Sequence, residues 1–453
     1  MENEELELKI KELNDLLESG KLSEFRNALI ELNEVDIAQY MEELDGNRLL
    51  LVFRVLPKDI SADVFAYMTS EQQQVIIESI TDRELSAIVD DLYLDDAVDF
   101  LEELPASVVK RVLRNTNETT RNLINQFLQY PENSAGSLMT IEFVEFHAHN
   151  TVREAMDILK RTGVDKETID TCYVIDERRR LIGFVNLRDL IFAGEEEPIA
   201  VVMDDNVVSV HTLDDQEAVA DTVRKYDLVN IPVVDNENRL VGIITSDDIM
   251  DVIEEENTED LELMNALVPA ETEYLKTSVW GLAKNRIPWL LILMISATFT
   301  GLIISKYEGL LMAAAGLNTF IPMLMDTSGN CGSQSSTLVI RGLALGEVEF
   351  RDFFKVLWKE IRVGLICGVV LALVNFIRVW LFTPAEIMTA IVVSLTLLAT
   401  VILSKAIGCT LPLLAKKCKL DPAIMASPLI TTIVDASSLM IFFYIATNML
   451  KIA

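Results

Sequence analysis

Soft-metal and nucleophilic chemistry has little to work with in this chain. Its 453 residues include only three histidines (His147, His149, His211) and five cysteines (Cys172, Cys331, Cys367, Cys409, Cys418), with no Cys-x-x-Cys pair. Zinc and thiolate-copper are disfavoured on that count, so a metal handled here must accept oxygen ligands. No Walker motif and no nucleophile constellation is present, and an enzyme is therefore not expected. Basic residues are scarce early on: positions 1–275 hold 23 Lys/Arg against 62 Asp/Glu, net −39, whereas positions 276–453 hold 15 against 9, net +6. A surface that negative excludes nucleic acid. The chain opens Met1-Glu2-Asn3-Glu4-Glu5 rather than with a basic-then-apolar leader, which predicts an N-terminus that stays in the cytosol.

What is present divides in the same way. Half of the chain is hydrophobic although 24% is charged, so the two properties must occupy different segments. Charge of one sign at this density opposes compaction unless cations screen it. A coat that merely aids solubility is the alternative reading of the acidic half.

Residues 20–130 read as short amphipathic helices, punctuated by Pro57 and Pro105. An internal repeat follows over residues 135–254. Val174-Ile175-Asp176 through Gly183 to Asp189 aligns with Val233-Val234-Asp235 through Gly242 to Asp248 at a constant offset of 59, each copy reading strand, Asp-led turn, strand, helix start. The pattern resembles a tandem pair of CBS domains; a chance hairpin duplication is the competing view. From Asp251 an acidic amphipathic helix is expected to continue to about Trp280, with a solvated linker as the alternative. Apolar runs then fall at 287–305, 309–325, 363–377, 387–404 and 422–450, each near the ~20 residues that span a bilayer. Five spans are expected. Basic residues concentrate between Arg341 and Arg362 and at Lys416, Lys417 and Lys419, which predicts an inside N-terminus and an outside C-terminus.

One carboxylate stands near the middle of the last run. Asp435, with Thr431, Thr432 and Ser438 on the same helical stripe, costs roughly 2.5–3.5 kcal/mol at bilayer centre on insertion scales, and so is expected to face protein or water. A packing stripe of self-bonded hydroxyls is the alternative. One carboxylate is too little for a dication, so two copies about a two-fold axis are expected to bring two Asp435 groups together. Gly329-Asn330-Cys331-Gly332-Ser333-Gln334 is expected to interrupt the second span as unwound backbone, placing Asn330 among the ion-contacting residues; a glycine kink is the alternative.

Taken together, the acidic helical region, paired repeat, acidic connecting helix, five spans, the Gly329–Gln334 segment and the run Asp421-Pro422-Ala423 through Pro428 to Asp435 resemble the MgtE family of magnesium channels along essentially the whole chain. The resemblance implies a multi-domain fold: an all-α acidic domain over 1–133, an α+β CBS pair over 134–198 and 199–254, a plug helix over 255–280, and a membrane bundle of five helices over 281–453. It also implies a homodimeric Mg²⁺ channel in the cell membrane, with Asp435 as selectivity element and Asp421 at the pore mouth. Regulatory Mg²⁺ is then expected at Asp95, Asp99, Asp215, Glu217, Asp227, Asp248, Asp251, Glu256, Glu259 and Asp260, closing the pore when the ion is plentiful. CBS pairs often hold adenine nucleotides, which implies an ATP-type site at Tyr173, Arg188 and Asp189. Transport or coupled exchange of another dication such as Co²⁺ is the runner-up.

Overall fold

The computed structural model describes residues 3–102, 104–269, 274, 277–313, 316–382, 386–425 and 427–450. Two compact units emerge, Met1–Ile253 and Glu254–Ala453.

Among the described residues, the first unit opens with a stack of ten helices, from Asn3–Glu18 to Glu118–Phe127. Local chemistry sets their ends. Pro57 and Pro105 stand at the N-caps of Lys58–Ala66 and Ala106–Asn115, where a missing N–H costs nothing. Thr81 and Glu84 form a capping box in which the Thr81 N–H donates to Glu84 Oε2 at 2.8 Å. The apolar faces meet around Phe53, Phe65 and Phe100, packed edge-on with ring centroids 6.1 and 5.1 Å apart.

The repeat builds two three-stranded sheets. In the first, β1 (Glu145–His147) runs parallel to β2 (Thr171–Ile175), which is antiparallel to β3 (Leu181–Asn186); β4 (Val210–His211), β5 (Asn230–Val234) and β6 (Leu240–Thr245) repeat that order. The two hairpin tips bond to each other reciprocally. Leu181 N–H donates to Asn238 O and Leu240 N–H to Arg179 O, both at 3.0 Å. Arg179 and Asn238 are equivalent across the offset, and both are left-handed, with φ 61° and 60°. Gly183 and Gly242 matter for close approach: a Cβ on them would lie 2.7 Å from Asp204 O and 2.8 Å from Thr140 O. Those carbonyls accept from the next residues, Phe184 and Ile243, at 3.0 and 2.9 Å.

Among the described residues of the second unit, four segments are long and apolar enough to cross a membrane: Val279–Lys306, Phe350–Phe382, Ile387–Lys417 and Pro422–Leu450. A fifth helix, Ile321–Ala344, has 24 residues, ~36 Å at 1.5 Å per residue, but is too rich in Ser, Gly and Asn to match their hydropathy. It packs between the Ile387–Lys417 and Ser427–Leu450 helices.

Two expectations need correction. The Gly329–Gln334 segment is continuous α-helix, not unwound backbone; the break falls earlier, where Glu308–Ala313 ends and a 3₁₀ turn at Leu317–Phe320 precedes Ile321. Its glycines serve helix contact, so the helical hydrogen bonds are kept. The acidic helix spans Ser246–Met264 and stops there, with Ala266 left-handed at φ 55°, rather than reaching Trp280. Part of the expected stretch, 270–273 and 275–276, lies outside the described residues.

Candidate metal sites

Three carboxylates from distant parts of the first unit converge. Asp95 lies in the first turn of the Leu94–Glu102 helix of the N-terminal stack, Glu167 in the loop ahead of β2, and Asp248 in the first turn of the helix after β6. One oxygen of each lies within 4.8 Å of the other two. Asp248 is positioned by its own helix start, its Oδ2 accepting from Thr245 Oγ1 at 2.6 Å and from the Thr245 N–H at 3.3 Å. The Glu167 backbone donates to Glu142 O at 2.9 Å, and its Oε2 is buried with no hydrogen-bond partner.

The electrostatics are adverse. Asp95 is only 6% exposed, and burial, then repulsion from Glu167, Asp96 and Asp248, pushes its carboxyl well above the ordinary range. Burial followed by Asp248 raises Glu167 to about 7, and the same two influences raise Asp96 to about 6. Asp248 is also raised, chiefly by burial. One buried and two half-buried carboxylates that repel one another, with one orphaned oxygen, fit a hard dication that takes oxygen donors, such as Mg²⁺.

The sequence named Asp95 and Asp248 but missed Glu167, which sits in no motif. Other expected ligands lie elsewhere. Asp99 is exposed one turn beyond Asp95. Asp215 is the N-cap of Gln216–Tyr226, accepting from the Glu217 N–H at 3.1 Å, and Asp227 ends that helix in a left-handed conformation. Asp215, Glu217 and Asp227 are exposed. Asp251, Glu256, Glu259 and Asp260 all lie on the Ser246–Met264 helix.

Of the nucleotide candidates, Arg188 and Asp189 are exposed at the start of the Leu187–Phe192 helix, where Asp189 Oδ2 accepts from Asn186 Nδ2 at 3.2 Å. Tyr173 does not join them. It is 1% exposed, edge-on to Phe143, and its hydroxyl donates to Asn230 Oδ1 at 2.6 Å. A ring committed to the core between the two sheets has no face for a base.

In the second unit Asp435 is half-buried, and Ser328 Oγ lies 3.5 Å from its Oδ1. Gly329 allows this approach, since a Cβ there would sit 3.0 Å from Thr431 Cγ2 and 3.9 Å from Asp435 Oδ1. The Thr431 and Thr432 hydroxyls donate to Pro428 O at 2.9 and 3.0 Å, back-bonded within their own helix. The opposite face of the glycine-bearing helix exposes Asp326, Asn330 and Gln334, four residues apart. Asp421 accepts from the Ala423 N–H at 2.7 Å, starting the Pro422–Met425 turn. A polar relay also ties three helices: Lys405 Nζ donates to Ser335 Oγ at 3.3 Å, and Ser335 Oγ donates to Glu360 Oε2 at 2.5 Å. Sequence reasoning ended the fourth span at 404, but the helix runs to Lys417 and buries Lys405.

Family models match most of the chain: a divalent cation transporter over 321–445, an MgtE intracellular N domain over 32–133, and CBS domains over 135–196 and 199–255. Magnesium transporter MgtE of Thermus thermophilus is 35% identical over 97% of this chain and 98% of its own length; that of Bacillus subtilis is 34% identical over 95% of each. Two solved structures are similar. The soluble part of a magnesium transporter has a TM-score of 0.53 at 34% identity, covering 55% of this chain and 99% of its own. The cytosolic domain of the Mg²⁺ channel MgtE in complex with ATP has a TM-score of 0.52 at 37% identity, covering 54% and 99%. With its apolar helices, helical N-terminal domain and CBS pair, the chain is a multi-pass membrane protein and not an enzyme, and it belongs to the MgtE family of magnesium transporters.

Proposed function

We propose that this protein is a homodimeric Mg²⁺-selective channel of the cell membrane, closed by Mg²⁺ on its acidic cytosolic half. One observation carries the reading. The Ile321–Ala344 helix sets Ser328 and Gly329 against Asp435 on one face and exposes Asp326, Asn330 and Gln334 on the other. At membrane depth such a stripe is costly against lipid, so it should face water or a second copy. Five spans per chain, counting this polar helix, leave the two ends on opposite sides of the membrane, and the basic residues at 341–362 and 416–419 favour an inside N-terminus. Two Asp435 carboxylates about the dyad attract a dication that keeps much of its water, as Mg²⁺ does. Asp421 stands at the inner mouth.

Closure follows from the other cluster. Mg²⁺ at Asp95, Glu167 and Asp248 relieves their repulsion and binds the helical stack to the CBS pair, while Glu256, Glu259 and Asp260 bind Mg²⁺ in the closed state. The ATP-bound relative supports an adenine nucleotide near Arg188 and Asp189, without Tyr173. Cobalt transport or coupled exchange has no observation in its favour.

The test is Mg²⁺ uptake by cells lacking other importers. Asp435→Ala should abolish uptake, and neutralising Glu259 and Asp260 should leave it unregulated at high internal Mg²⁺. Full uptake by Asp435→Ala removes Asp435 from the filter.

A further inference from the structure

A second group of metal-ligating side chains in the first unit shares no residue with the sites above. β1 ends at His147 and the chain turns at once: Asn150 Oδ1 accepts from the His147 N–H at 2.8 Å, and the Asn150 N–H donates to His147 O at 3.0 Å. This turn stacks the His147 and His149 imidazoles, with centroids 5.3 Å apart and planes at 18°. The β2–β3 turn is fixed by Asp176, whose Oδ1 accepts from the N–H groups of Arg178 and Arg180 at 2.7 and 2.9 Å. It delivers Glu177 alongside, with His149 Nδ1 3.6 Å from Glu177 Oε1. One donor atom each from His147, His149 and Glu177 lies within 4.8 Å of the other two. Independently, His147 Nδ1 is buried with no hydrogen-bond partner.

We propose that His147, His149 and Glu177 form a binding site for a first-row transition-metal dication of the zinc or cobalt class, with solvent at the fourth position. Two imidazoles and a carboxylate suit Zn²⁺, Co²⁺ or Ni²⁺, whereas Mg²⁺ takes an all-oxygen octahedron. Bonds of about 2.0–2.1 Å in a tetrahedron set donors roughly 3.4 Å apart, so the 3.6 Å His149–Glu177 spacing is already close. The exposed side chains of His149 and Glu177 can rotate through the rest. The scarcity of histidine argued against such a metal, but the fold spends two of the three on one turn. A metal here clips the end of β1 to the β2–β3 turn, and is chemically distinct from Mg²⁺ at the carboxylate cluster.

The full chain in detergent, with excess Mg²⁺ to fill oxygen sites, is titrated with CoCl₂ and read by visible absorption. Four-coordinate Co²⁺ absorbs intensely in the visible and six-coordinate oxygen-bound Co²⁺ only weakly. The expected result is an intense band saturating at one equivalent per chain and displaced by Zn²⁺. His149→Ala and Glu177→Gln change exposed side chains and should keep the fold. Each should weaken Co²⁺ binding by about 100-fold, at or beyond the upper end of what losing an outer-shell partner costs. Absence of an intense band at excess Co²⁺, or a band that both variants leave unchanged, overturns the proposal.

Discussion

Gly408 and Gly332 press two helices together backbone to backbone. A Cβ on Gly408 would collide with the Gly332 carbonyl oxygen, and a Cβ on Gly332 would lie 2.8 Å from Ile430 Cγ2. The polar helix that reaches Asp435 is thereby wedged between both neighbours. Gly408→Ala meets backbone rather than a flexible side chain, so it should cost more than the ~1–3 kcal/mol of ordinary overpacking. We expect lower thermal stability in detergent and lost uptake. Gly309→Ala, with nothing within 4 Å, is the matched control and should change neither.

The carboxylate cluster predicts opposite effects of one substitution with and without Mg²⁺. Glu167→Gln removes a charge that repels Asp95 and Asp248, so in chelator the variant should melt higher than wild type. With Mg²⁺ added, wild type gains stability, about 2.7 kcal/mol when the ion is at 100 times its dissociation constant, and the variant gains less. Thermal denaturation of the full chain at two Mg²⁺ levels reads both. Equal Mg²⁺-induced shifts in the two proteins would dissociate Glu167 from the ion.

Protons should substitute for Mg²⁺ at the same place. Glu167 at about 7 and Asp96 at about 6 lie above their unfolded values, so the folded state holds protons that the unfolded chain releases. Their contribution is fully present below the unfolded values and is lost as pH rises through 6 and 7. In chelator the protein should therefore melt higher at mildly acidic than at alkaline pH. Mg²⁺ should raise the melting temperature most at the alkaline end, and Glu167→Gln should flatten the profile.

The Lys405–Ser335–Glu360 relay invites a double-mutant cycle. Lys405 is 5% exposed and reaches Glu360 only through the Ser335 hydroxyl, so Lys405→Met removes that cation and one hydrogen bond and should cost about 1–3 kcal/mol. Adding Glu360→Gln should recover much of that loss, because the second charge goes too. Additive losses in the melting temperature would mean that the two groups act independently.

Much of this was legible because the signals are local. The offset of 59 placed both hairpins and both glycines correctly, since alternation and turn chemistry act over a few residues. Apolar runs marked four of the long helices, and a lone carboxylate in one of them marked Asp435; the run 309–325 instead crosses a break, and only its last five residues belong to the Ile321–Ala344 helix. The polar helix was misread at Gly329–Gln334 because glycine signals a backbone break as readily as a close helix contact, and only the neighbour decides which.

The sequence alone determined the order of the domains, the internal repeat, the charge divided between two halves, and the lone aspartate within the last apolar run, each written in a short stretch of chain. Tertiary structure alone decided that Glu167 meets Asp95 and Asp248, that His147 and His149 find Glu177, that Tyr173 is spent on the core, and that Lys405 lies buried beside Ser335. These are meetings of residues far apart along the chain or on different elements. Periodicity and motif carry no information about them, because they arise only when packed elements exclude water and force distant groups to share one space.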